Sequence, residues 1–179
     1  MMRLLWVDME MTGLEPATER IIEVAAIITD MSLEPIADYH SVVFQSQEFL
    51  DRMDDWNQKT HRASGLVDLV PSGKSQNQVD NELSDWVSAH FPNERAVLAG
   101  NSIHQDRKFI DLYMPKLSAL LHYRMVDVSA FKIMFKEKFS VQFEKGTNHR
   151  ALDDIHASIA ELKHYLSFVQ VQPHGPNGT

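Results

Sequence analysis

Asp8 and Glu10 stand two residues apart at the end of an apolar run, RLLWVDM, that reads as a buried strand. Side chains alternate along a strand, so both carboxylates leave one face while Met9 leaves the other. Ionised carboxylates this close repel each other unless a cation neutralises them, which makes the pair a platform for a bound metal. Solvated strand ends carry such pairs too, so the platform needs further ligands to be informative. Asp106 follows the apolar run VLAGN at the start of a helix, where α/β folds commonly present functional groups; it also suits a plain role as a first-turn acid facing the helix dipole. His149 and Asp154 are five apart, and in a regular helix that spacing leaves side chains about 140° apart, on different faces. If the helix instead begins near Arg150 or Ala151, His149 lies on the preceding loop and can reach over a metal that Asp154 binds. Asp153 is the rival ligand, or else a helix-start carboxylate. The chain contains no cysteine, so thiolate zinc sites and disulfides are excluded, and a carboxylate set favours hard cations such as magnesium or manganese.

The elements that must position these groups follow from patterning. Residues 3–9 and 21–29 read as buried strands joined by the turn MTGLEPATER, and 36–46 as a third strand. Short helical or irregular pieces fill 47–72. The segment SQNQVDNELSDWVSAHF spaces Val79, Leu83, Trp86, Val87 and Phe91 as an amphipathic helix that Pro92 helps to end. Residues 96–100 form a short strand, 105–113 a helix stopped near Pro115, and 124–128 another strand. Ser129 reads as the cap of the next helix, and 151–169 carries Leu152, Ile155, Ile159, Leu162 and Leu166 at helical spacing. This order describes one mixed α/β domain over 1–170, with 171–179 as a disordered tail.

At 179 residues and 44% hydrophobic content the chain can hold a single well-packed core. It contains no apolar run long enough to span a membrane, and charge arrives too early for a signal peptide, so a soluble, cytoplasmic protein is expected. A net charge of −8 argues against a binder of long nucleic acid, which would need many phosphate contacts from Lys and Arg. Charge is uneven, however: residues 122–150 hold six Lys or Arg against three acids, enough to meet a few phosphates.

Asp8 and Glu10 in VDMEMTGL, Asp106 in GNSIHQDRKF, and His149 with Asp154 in HRALDDI resemble the DEDDh 3′–5′ exonuclease superfamily. The segments DMEMTGLEP, DDWNQKTHRASGL, GNSIHQDRKFIDLYMP and HYRMVDVS are similar to the branch that acts on short RNA, and the last two separate the chain from DNA proofreading relatives. The resemblance covers roughly residues 3–168. It implies a ribonuclease H-like α/β fold, with a mixed five-stranded sheet flanked by helices, and a homodimer. It also implies two divalent cations held by Asp8, Glu10, Asp106 and Asp154, with His149 as general base. The substrate implied is short single-stranded RNA, dinucleotides above all.

Substrate contacts are expected from several segments. Met11, Thr12, Gly13 and Leu14 lie just beyond the metal platform, where their backbone meets the 3′-terminal nucleotide and Leu14 can wedge between bases. Trp56 and His61 are placed to stack on or border the terminal base, although Trp56 suits a core position equally well. The resemblance further implies that HYRMVDVS reaches into the partner subunit's site. There Tyr123 stacks on the second base, Arg124, Ser129 and Lys132 hold its 5′ phosphate, and Ser102 contributes from the other subunit.

Overall fold

The computed structural model describes residues 2–144 and 150–170. Its strands are β1 (Leu4–Met11), β2 (Ile21–Thr29), β3 (Pro35–Val42), β4 (Ala96–Gly100) and β5 (Leu121–Asp127). The helices are α1 (Gln47–Asp51), α2 (Asp55–Ala63), α3 (Leu66–Leu69), α4 (Gln76–His90), α5 (His104–Tyr113), α6 (Pro115–Leu120), α7 (Val128–Phe139) and α8 (Ala151–Leu166). The strands form one mixed sheet in the order β3-β2-β1-β4-β5. β1, β2 and β3 make an antiparallel meander, while β4 and β5 add in parallel on the other side of β1. This is the expected α/β architecture of a five-stranded sheet flanked by helices.

Strand parity decides what each face receives. Leu5, Val7, Met9 and Met11 of β1 pack with Val79, Leu83 and Val87 of α4 and with Phe109 and Ile110 of α5. Leu4 and Trp6 face the opposite way, against Ile155, Ile159, Leu162 and Tyr165 of α8. Asp8 and Glu10 share the parity of Leu4 and Trp6, so they emerge on the face that α8 covers. β2 is buried at every position, as suits its mostly apolar run IIEVAAIIT in a strand covered on both sides.

Several boundaries differ from the sequence expectation, each for a local reason. Pro115 does not merely stop α5: the chain breaks at Met114, and Pro115 opens α6, where its missing N–H costs nothing. Ser129 is not a cap, because α7 starts one residue earlier and the Asp127 carboxylate accepts from the Ser129 amide. β5 runs from Leu121 rather than 124, β3 ends at Val42 rather than 46, and α8 ends at Leu166 rather than 169. The tail at 171–179 lies outside the described residues.

Candidate active site

β1 delivers Asp8 and Glu10 to the sheet surface beside the first turns of α8. Asp8, Glu10 and Asp154 each place a carboxylate oxygen within 4.8 Å of the others. α8 begins at Ala151, the start that lets Asp154 rather than its neighbour reach the strand; Asp153 is exposed. A register shift between Glu10 and Met11 ends the regular β1–β2 ladder at the site. Bulges of this kind redirect the chain beside functional groups, and sequence patterning carries no trace of them. His149 lies outside the described residues.

Asp106 comes from α5 on the far side of β1. It is 7% exposed, and its Oδ1 accepts from the Met9 amide at 3.1 Å, which ties the start of α5 to the middle of the acidic strand. A first-turn acid facing solvent would not be buried so deeply. Burial, together with the charge of Asp8, holds the Asp106 carboxyl well above the usual carboxylate range. Glu10 is pushed up to about 8 by burial first, then by Asp8, Asp154 and Glu23, with the Arg150 guanidinium opposing. The cluster is thus short of positive charge. Two divalent cations would carry as many positive charges as the four carboxylates carry negative ones, and an all-oxygen donor set suits hard cations, so the residues fit the expected metals.

The loop after β1 is pinned from several sides. Thr12 is 2% exposed, its hydroxyl donates to Glu19 and its amide to the Arg20 carbonyl, so its side chain holds the loop. Met11 is buried, its side chain packed in the core, while Gly13 is half-buried and Leu14 is 75% exposed with its carbonyl accepting from Gln105 Nε2. Trp56 is 62% exposed, which removes the core reading. His61 lies deeper than Trp56 on the same helix. It is 1% exposed, Nε2–H donates to the Met11 carbonyl at 3.1 Å, and Nδ1 lies 3.8 Å from Glu10 Oε2. α2 turns this ring inward, so it borders the carboxylates.

Tyr123 and Arg124 project from edge strand β5, with the guanidinium 5.3 Å from the Tyr123 ring centre. Lys132 is exposed on α7. Ser129 and Ser102 meet within one chain: the hydroxyls are 3.1 Å apart, and the Ser102 amide donates to Ser129 Oγ at 2.8 Å and Asp127 Oδ1 at 3.0 Å. Ser102 and Ser129 are thus direct neighbours within one protomer. Asp127 and Ser129 also hold Ser102 at φ 50°, a left-handed conformation that is rare for a serine.

Three residues escaped the sequence reading. Asn101 donates to Ser158 Oγ at 2.9 Å and Glu161 Oε2 at 3.0 Å, linking the end of β4 to α8. Glu23 and Arg150 form an ion pair beside Glu10. A lone acid inside an apolar strand was the legible sign of Glu23; nothing local distinguishes Asn101 or Arg150.

The RNase T exonuclease family matches residues 5–162. An oligoribonuclease from Neisseria meningitidis serogroup A is 46% identical over 167 residues, covering 90% of this chain and 89% of that protein. One from Nitrosomonas europaea is 44% identical over 167 residues, covering 90% and 92%. Among solved structures, exonuclease I from Methylocaldum szegediense shares the fold with a TM-score of 0.72 at 15% identity, over 94% of this chain and 41% of that one. E. coli exonuclease I in complex with a dT13 oligonucleotide superposes with a TM-score of 0.67 at 16% identity, over 93% and 41%. The chain spans about two-fifths of these exonuclease I chains, whose likeness concerns the fold alone. With near full-length identity to oligoribonucleases and an exonuclease domain over most of its length, the chain belongs to the oligoribonuclease family of the DEDD exonucleases and is a nuclease hydrolase.

Proposed function

We propose that this protein removes 5′-mononucleotides from the 3′ end of short single-stranded RNA, with dinucleotides as preferred substrates, using two divalent cations and His149. The observation that carries the reading is the convergence of Asp8, Glu10 and Asp154 from two elements, with buried Asp106 bonded to the amide of Met9 between the two strand acids. Asp8 would serve both cations, Glu10 and Asp154 the one on the water side, and Asp106 the one on the leaving-group side. When bound, magnesium or manganese would supply activation of the attacking water and stabilisation of the departing 3′ oxygen. Hydrolysis forms a bond from water oxygen to phosphorus and breaks the bond from phosphorus to O3′. His149 takes the water proton, as suits an imidazole that titrates near neutrality. Leu14 and Trp56, both exposed beyond the carboxylates, flank the terminal base, and the Met11–Leu14 backbone meets its nucleotide.

Preference for two nucleotides requires the groove to be closed after the second base. Tyr123, Arg124, Ser129 and Lys132 are assigned to a cap that stacks on that base and holds its 5′ phosphate, together with Ser102, within a homodimer. Support comes from the exposure of Tyr123, Met125, Ile133 and Met134 along β5 and α7, an apolar surface beside an unpaired strand edge. A net charge of −8 agrees with a site that needs only a few phosphate contacts. Among the described residues no helix is long and apolar enough to cross a membrane; a cytoplasmic location is part of the proposal.

The test is a time course with 5′-labelled RNA of two to seven nucleotides and matched DNA, with magnesium or manganese and with EDTA. Cation-dependent release of mononucleotides, fastest for the dinucleotide, is the expected result. Equal rates at all lengths would remove the cap, and no cleavage would remove the activity.

A further inference from the structure

Glu23 is the single charged residue of β2, and its side chain is fully buried. It sits opposite Glu10 in the β1–β2 register, on the face that α8 covers. An ionised carboxylate in such a place costs several kcal/mol unless its oxygens are all engaged. Here they are. Oε1 accepts from Arg150 Nη2 at 2.6 Å and Nε at 2.9 Å and lies 2.7 Å from His40 Nε2, while Oε2 accepts from the Ala151 amide at 3.0 Å. Although burial opposes it, the bonds from His40, Arg150 and Ala151 hold the carboxyl down at about 2.

Apart from the His40 contact from β3, these bonds all fall on the start of α8. Arg150 occupies the cap position of that helix without a side-chain cap of its own, so the first helical amide finds its acceptor on a distant strand instead. The Arg150 carbonyl in turn accepts from the Asp154 amide at 3.0 Å. A continuous path therefore runs from Glu23 through Arg150 and Ala151 to the backbone that presents the Asp154 carboxylate.

We propose that Glu23 is a positioning residue for the cation site: by clamping Arg150 and the Ala151 amide it fixes the start of α8, so that Asp154 closes the cluster begun by Asp8 and Glu10. The clamp also keeps a guanidinium near Glu10, where it offsets part of the acidic repulsion. This inference rests on reading the carboxylates as cation ligands. It extends that reading to a residue that touches neither cation nor RNA.

The experiment is a titration of the full-length protein with Mn²⁺ in the absence of RNA, with free Mn²⁺ followed by electron paramagnetic resonance, for wild type, Glu23→Gln and Arg150→Lys. Glu23→Gln keeps the side-chain size and removes the charge, and an affinity loss of about tenfold is expected, the low end for residues that orient metal ligands. The KM for a dinucleotide at saturating Mn²⁺ stays within about twofold of wild type, because RNA contacts are untouched. Arg150→Lys keeps the charge, gives up the paired donors and weakens Mn²⁺ binding in the same direction. Because the Arg150 side chain is partly exposed, this variant carries the test if Glu23→Gln does not fold. A purely structural clamp would lower the melting temperature of the metal-free protein and leave Mn²⁺ affinity at the wild-type value; that result would overturn the role. Absence of Mn²⁺ binding by the wild type would overturn the cation reading itself, and Glu23's role with it.

Discussion

At the scale of single residues, Asp153 and Asp154 differ by one position and 100° of helix rotation, which turns one to solvent and the other to the strand. Asp154→Asn is expected to lower kcat on the order of 10²–10³-fold, the loss of several kcal/mol of charge stabilisation, whereas Asp153→Asn stays within about threefold. Steady-state kinetics on a dinucleotide compares the two. His149→Ala is expected to cost roughly 10²–10⁴ in kcat with RNA binding retained; near wild-type turnover would remove it from the mechanism. Glu10 makes stability depend on pH. Its carboxyl is raised from 4.5 to about 8 in the folded metal-free protein, so the native state holds a proton that the unfolded chain releases earlier. Its contribution is therefore fully present below about 4.5 and is lost as pH rises towards about 8. The melting temperature of EDTA-treated protein should fall over that interval, added Mn²⁺ should reverse the fall, and Glu10→Gln should flatten it. A slope unchanged in Glu10→Gln would assign the effect elsewhere.

Elements are held in register by polar groups from other elements. Asp80 on α4 is 4% exposed and accepts from the Lys116 and Leu117 amides at 3.1 and 3.0 Å, capping α6 across the core. Asp80→Ala leaves those two donors without their acceptor and is expected to destabilise the fold by about 1–3 kcal/mol, with little change in KM, as measured by urea unfolding beside kinetics. Gly100 ends β4 where a Cβ would lie 2.9 Å from the Val7 carbonyl oxygen. The absent side chain lets β4 approach the acidic strand closely, and Asn101 then reaches α8 directly beyond it.

For the whole molecule, the unmatched feature is the apolar surface of β5 and α7. Phe131, Met134 and Phe139 of α7, with Phe168 beyond the end of α8, line an apolar groove of about 760 Å³, continuing the exposed apolar surface of that helix. In the proposed homodimer this surface is covered, and the cap residues Tyr123 and Arg124 sit on the same edge. Met134→Glu should convert the protein to monomers in analytical ultracentrifugation and lower dinucleotide turnover by an order of magnitude or more, while the melting temperature of the chain changes little. A fully active monomer would break the link between assembly and the site.

The sequence by itself determined the strands, the long helices and the acidic set, because period-2 and period-3.6 patterns and an acid pair on one strand face are local properties of a chain. It also marked Asp106 and Asp154, although only as one reading among others. Tertiary structure decided where these groups lie. Packing of α5 against β1 buried Asp106, the start of α8 at Ala151 brought Asp154 rather than Asp153 to the strand, and the docking of α2 turned His61 towards Glu10. The Glu23–Arg150 clamp spans 127 positions, and the contact of Ser102 with Ser129 spans 27. Neither leaves a local pattern, since the free energy of a long-range polar contact depends on where the sheet brings two segments together, not on what stands beside them in the chain.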